Sequence, residues 1–123
     1  MISAIEPWVS GWSRLIYSKL HHEPFEPRRE DWSIEATGPL SGANQALPWI
    51  LFSRDREQFE AEFPQFEIVS VRPTMPFSYL ASGGVSMRPL QPGWMFGFWR
   101  FFDWVLKHPM AMFAHIVIRK KGA

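Results

Sequence analysis

The span from Gln91 to Arg119 constrains the fold most, because it is the densest apolar and aromatic stretch of the chain. Pro92 and Gly93 open it, Trp94 to Lys107 run on without a proline, and His108-Pro109 closes it, since a residue before proline is pushed out of the α region. The spacing predicts a helix over 94–107. Met112 to Ile118 follows as a short apolar run rich in β-branched residues, ended by Arg119-Lys120-Lys121, and reads as a strand buried on both faces. On the helix, Arg100, Asp103 and Lys107 fall at i, i+3 and i+7 as one polar stripe. Trp94, Phe98, Phe101, Phe102, Val105 and Leu106 take much of the remainder. Burying one Phe or Leu contributes roughly 1.5 to 3 kcal/mol, against a whole-domain stability of about 5 to 15 kcal/mol. A stripe that narrow requires the helix to be mostly covered, by the rest of the chain, by a partner or by a membrane.

With 123 residues the chain is long enough for one domain and short for two. A charged fraction of 20% beside 46% hydrophobic and 16% aromatic residues excludes a disordered tail. No apolar run reaches the roughly 18 residues needed to span a bilayer. Thirteen Lys and Arg against 12 Asp and Glu give a net charge of +1, so there is no broad basic footprint and no nucleic-acid partner is expected. The absence of cysteine excludes disulfides, zinc ribbons and thiol catalysis. Met1 to Glu6 lacks the features of a secretory signal, and a cytoplasmic protein is expected.

Ile2 to Ile5 reads as a short strand stopped by Glu6-Pro7. Ser10 or Ser13 can cap the next helix, in which Trp12, Leu15, Ile16 and Leu20 recur at helical spacing until Pro24 ends it. From Phe25 to Pro39 the pattern dissolves into a long loop anchored by Trp32 and Ile34. Ala46 to Phe52 is apolar but interrupted by Pro48, so it packs without forming a central strand. Ser53 or Asp55 can cap a helix from Arg56 to about Phe63, which carries Phe59 and Phe63 on its apolar face. Phe66 to Arg72 alternates as a second strand, with Phe66, Ile68 and Val71 against Glu67 and Arg72. Ser82-Gly83-Gly84-Val85-Ser86 makes a corner before the aromatic helix.

Ile5-Glu6-Pro7, Ser13-Arg14-Leu15-Ile16-Tyr17 and His22-Glu23-Pro24 together resemble the carboxy-terminal half of class I S-adenosylmethionine-dependent methyltransferases. The more specific segments are Gly42-Ala43-Asn44-Gln45-Ala46-Leu47-Pro48 and Tyr79-Leu80-Ala81-Ser82-Gly83-Gly84. They are similar to an Ala-Asn-Gln-Ala-Ile-Pro segment and a Leu-Ser-Gly-Gly turn of a bacterial, type 11-like subgroup. The resemblance spans essentially all 123 residues. It implies an α/β fold holding part of a Rossmann-like methyltransferase sheet, with mixed parallel and antiparallel strands and flanking helices. Ile2 to Ile5 would be the fifth strand, Phe66 to Arg72 the sixth, and Met112 to Ile118 the seventh, running antiparallel between the other two. It also implies S-adenosylmethionine as cofactor and a small-molecule or sugar-like acceptor.

A complete member of that family carries, before this region, a glycine-rich turn after its first strand and an acidic residue ending its second. Neither occurs here. The chain therefore reads as a truncated frame, a fragment or one partner of a split protein, inactive and unable to bind S-adenosylmethionine alone. It is expected to pair with an amino-terminal methyltransferase half, or with itself through the free edge of Ile2 to Ile5.

Glu6 and His21 are the candidate catalytic residues. A carboxylate at the carboxyl end of a strand can orient or deprotonate an acceptor hydroxyl, and a histidine transfers protons near neutral pH. The competing roles are a local pairing for Glu6 and favourable placement at a helix end for His21. His22, Asn44, Trp99 and Phe102 are the candidate acceptor-binding residues. Asn44 offers a donor and an acceptor from a turn, although asparagine is also a routine turn former, and the rings of Trp99 and Phe102 can stack on a sugar or simply pack in a core. His115, within an apolar strand, reads as a satisfied structural histidine. Neighbouring His21 and His22 diverge on a helix, so no metal site is expected. For the aromatic helix, a lid over the acceptor pocket is favoured over a membrane anchor, because Asp103 between Arg100 and Lys107 mixes the signs of the polar stripe. The competing class is a non-catalytic, membrane-peripheral or scaffolding module that uses this helix.

Overall fold

The computed structural model describes residues 1–20, 24–33, 43–81, 83 and 92–122. Three strands, β1 (Ile2–Pro7), β2 (Phe66–Thr74) and β3 (Phe113–Lys120), form one sheet in the order β1-β3-β2. β3 is antiparallel to both neighbours, with Ile5 opposite His115 on one side and Arg72 opposite His115 on the other. The fold is mixed α/β. The expected mixture of parallel and antiparallel pairs is corrected, since every strand pair among the described residues is antiparallel.

Period-two alternation sorts the sheet into two faces. Ala114 and Ile116 of β3 are buried and pack with Trp8, Trp49, Phe52, Val71 and Ile118. A bulge between Ile68 and Ser70 lets Ile68, opposite Ile118, and Val71, opposite Ile116, share that face although they are three residues apart. That extra residue is why the alternation of β2 falters in the sequence. On the opposite face His115 and Val117 are only half-buried, so the reading of β3 as buried on both sides holds for one side alone.

Helix α1 (Gly11–Leu20) starts with a reciprocal cap, in which the Ser13 N–H donates to Ser10 Oγ at 3.0 Å and the Ser10 N–H donates to Ser13 Oγ at 2.7 Å. Both candidate capping serines are therefore used. The Ala46 to Phe52 segment becomes a short helix α2 (Leu47–Trp49), with Pro48 tolerated in its first turn, followed by a π-helical stretch over Ile50–Arg54. The Asp55 N–H closes that stretch on the Ile50 carbonyl at 2.8 Å. Asp55 stands at the start of α3 (Arg56–Glu62) without capping it, because its carboxylate is bonded elsewhere.

A short helix, α4 (Ser78–Ala81), leads to Gly83, whose φ of 93° is the left-handed conformation that glycine adopts without strain. After a 3₁₀ turn over Gly93–Met95, helix α5 spans Phe96–Met110. It passes through Pro109 and ends one residue later at Met110, beyond the expected stop. Of the three expected sources of cover for this helix, the rest of the chain supplies little. α5 has no buried residue. None of the described helices is long and apolar enough to cross a membrane.

Candidate functional site

Two clefts flank the sheet. The first, of about 610 Å³, lies over β1 on the face carrying Ile116 and Ile118. Ile2, Ala4, Glu6 and Pro7 form one wall, and Ala43 to Gln45 with Leu47, Pro48, Leu51 and Phe52 form the other. Glu6 is the one charged side chain among the described residues of this lining. The structure thus brings Glu6 and Asn44, two of the residues nominated from sequence, to the same cleft.

Asn44 is 5% exposed and fully engaged. Its Oδ1 accepts the N–H groups of Glu26, at 2.8 Å, and Ala46, at 3.0 Å, while Nδ2 donates to the Glu26 carbonyl at 2.9 Å. These bonds fasten the loop around Glu26 to the start of α2. A side chain with both ends committed this way positions the cleft wall and has little left for a ligand.

The second cleft, of about 590 Å³, opens on the other face of the sheet, under α5. Its floor is Ile5, Arg72 and His115, adjacent through strand pairing, and its α5 wall is Phe96, Arg100, Asp103, Trp104 and Lys107. His115 Nε2 and Ser3 Oγ share a hydrogen bond of 2.7 Å, so the histidine is half-buried and satisfied, as its place in the strand suggested. Asp103 is turned inward, where Oδ1 accepts the backbone N–H of Phe77 at 2.7 Å and that of Ser78 at 3.2 Å. Among the described residues, three cations against one internally bonded carboxylate give this lining two excess positive charges. At its rim Met75 has φ 54°, an unusual conformation for a residue other than glycine that costs on the order of 1 kcal/mol or more.

Trp99 and Phe102 line neither cleft. Trp99 packs on Phe77 and Phe98 with ring centroids 6.0 and 5.4 Å apart, and its indole N–H is buried with no acceptor among the described residues. Phe102 stacks among Phe98 and Phe101 at 4.8 and 5.7 Å. Neighbouring Phe96 and Trp104 face the basic cleft instead. His21 and His22 lie outside the described residues. Arg72, which sequence reasoning passed over, was signalled by its alternation with Val71 on β2, and Arg100 and Lys107 by their one-sided placement on α5.

The described residues of neither lining fit S-adenosylmethionine. The cleft over β1 offers an apolar wall and one carboxylate, without a glycine-rich turn or a second acid among the described residues to hold the ribose, and the described lining of the other cleft is cationic, which repels a sulfonium. Among the described residues no group of three or more His, Asp or Glu side chains could hold a metal ion. No protein-family model, no curated protein and no solved structure matches the chain.

Proposed function

We propose that this chain is the acceptor-side portion of a class I S-adenosylmethionine-dependent methyltransferase that acts in the cytoplasm on a small-molecule or sugar-like acceptor. The observation that supports the reading is the strand order β1-β3-β2 with β3 antiparallel to both neighbours. It is the arrangement that the sequence resemblance implies for the fifth, seventh and sixth strands of that family. A second feature agrees with it: the outer edge of β1 has no strand partner among the described residues, and an apolar cleft lies beside it. In this reading a strand of the cofactor-binding half pairs with that edge, and the cleft beside it receives the acceptor. Cofactor binding belongs to that half, and the chain alone is inactive.

Glu6, at the carboxyl end of β1 and at the cleft, orients the acceptor or receives its proton. The rest of the chain supplies position and alignment, which dominate a group transfer of this kind. The test joins the chain in register to the glycine-rich half of a class I methyltransferase and follows release of S-adenosylhomocysteine with a panel of hydroxyl and sugar acceptors. Transfer is expected, with kcat about a hundred-fold lower in Glu6→Gln at unchanged thermal stability. Absence of transfer from a folded, cofactor-binding assembly would overturn the reading.

A further inference from the structure

The outward half of α5 is apolar and basic, and carries no acid. Trp94, at 82% exposure, and Phe98, Phe101 and Val105, at 53, 60 and 50%, recur at i, i+4, i+7 and i+11, so they form one stripe. Trp104, 68% exposed, widens it toward Arg100 and Lys107. With about 100° per residue, Arg100 falls roughly 40° and Lys107 roughly 60° beyond Trp104, at the border between this stripe and the cleft that both line, and His108 lies between Trp104 and Phe101. The single acid of the helix, Asp103, lies about 40° further round than Lys107 in the lining of the same cleft. Its carboxylate is engaged by the backbone N–H groups of Phe77 and Ser78 and is turned away from the aromatic stripe.

A soluble monomer seldom exposes a continuous aromatic strip of this kind without a use for it. We propose that α5 docks on the surface of an anionic lipid bilayer. Its Trp and Phe rings would enter the boundary between headgroups and acyl chains, with the long side chains of Arg100 and Lys107 at the border of the strip reaching toward the lipid phosphates. The composition suits that occupant in three ways. Tryptophan is favoured at the interface, the long Arg and Lys side chains flank the apolar strip where they can reach the headgroups, and each basic residue near an anionic surface adds attraction. A second copy of the chain fits less well. A symmetric pairing of two α5 faces would set Arg100 and Lys107 against surfaces that offer no carboxylate in return. The cleft beneath the helix would then lie at the bilayer surface, open to an anionic headgroup. This inference does not rest on methyl transfer and holds equally for a non-catalytic chain.

The test is flotation of the full chain with vesicles of phosphatidylcholine containing about 30% phosphatidylglycerol, read together with tryptophan emission. Binding with a shift of emission to shorter wavelength is expected, weaker by about ten-fold or more on phosphatidylcholine alone and in roughly 0.5 M salt. The Phe101→Ser, Trp104→Ser double variant changes only exposed side chains and should lose binding by about ten-fold or more with its circular dichroism unchanged. Arg100→Glu with Lys107→Glu should abolish the preference for anionic vesicles. Leu15→Ser, an exposed apolar position on α1, should bind as the unaltered chain does. No flotation by the folded chain, or flotation untouched by the double variant, would overturn the proposal. So would a solution dimer that the same double variant dissolves, because the face would then belong to a second copy.

Discussion

The Asp103 carboxylate accepts the backbone N–H of Phe77 at 2.7 Å, and through this bond α5 is fixed in rotation against the start of α4. The Phe77 ring reinforces it by packing on Trp99, 6.0 Å away, and on Trp12, 5.8 Å away, whose indole N–H donates to the Pro76 carbonyl at 3.0 Å. Asp103→Ala would leave two N–H groups of α4 without this acceptor. A loss of about 1 to 2 kcal/mol is expected, seen by thermal denaturation as a midpoint lower by roughly 3 to 8 °C. Asp103→Asn, which keeps an acceptor oxygen, should lose less than half of that. An unchanged midpoint in the alanine variant would mean that ring packing alone holds the helix.

Asn44 is expected to behave as a structural tie. Asn44→Ala strands two backbone N–H groups and a carbonyl around a buried site, which should cost about 2 to 3 kcal/mol in urea denaturation. Any effect on methyl transfer by the completed enzyme should follow that loss of folded protein. A variant as stable as the parent but deficient in acceptor affinity would return Asn44 to the binding residues.

Asp55 gives the stability of the fold a dependence on acid. The Arg54 guanidinium grips its carboxylate at 2.6 and 2.7 Å, the Trp32 indole N–H donates to it at 3.0 Å, and together they hold its pKa below the usual aspartate range despite partial burial. A carboxyl with a lower pKa in the folded state stabilises the protein above its unfolded value of about 3.9, and this contribution disappears as pH falls through the folded value. Arg54 also donates to the carbonyls of Pro27 and Arg29, so the pair fastens the 24–33 segment to the π-helical stretch. Between about pH 5 and pH 2 the parent should lose stability more steeply than Asp55→Asn, with the two curves converging at the acid end. Parallel curves would show that Asp55 is not held this way.

The free edge of β1 should make the isolated chain self-associate. Sedimentation at increasing concentration is expected to show dimers or larger species. Ile2→Lys, which sets a charge beside that edge and in the apolar cleft, should disperse them, while Phe101→Ser with Trp104→Ser should not. A clean monomer of the parent chain would mean that the edge is already protected.

Hydrophobic period and proline punctuation carried the strands and α3 into view from the sequence, because Ile68, Ile116 and Phe59 must face a core whatever lies around them. The extensions to Pro7 and Thr74 come from pairing with Phe113 of β3, and that of β3 to Lys120 from pairing with Phe66 of β2, a long-range effect that local pattern does not encode. Glu6 and Asn44 were each legible as site candidates, but their place in one cleft and the engagement of Asn44 with the distant Glu26 backbone come from the tertiary fold. Asp103 was misleading for the same reason. Its spacing from Arg100 and Lys107 gives its place on the helix, whereas the partner that turns it inward is contributed by Phe77, 26 residues away.

The central claim is that this chain completes a cofactor-binding half without holding the cofactor itself. The direct measurement is calorimetric titration of S-adenosylmethionine into the chain, into the glycine-rich half of a class I methyltransferase, and into the two joined. No binding by the chain, weak binding by the half and micromolar binding by the joined protein, about −8 kcal/mol, is the expected result. Micromolar binding by the chain alone, or a joined protein no tighter than the half, would contradict it.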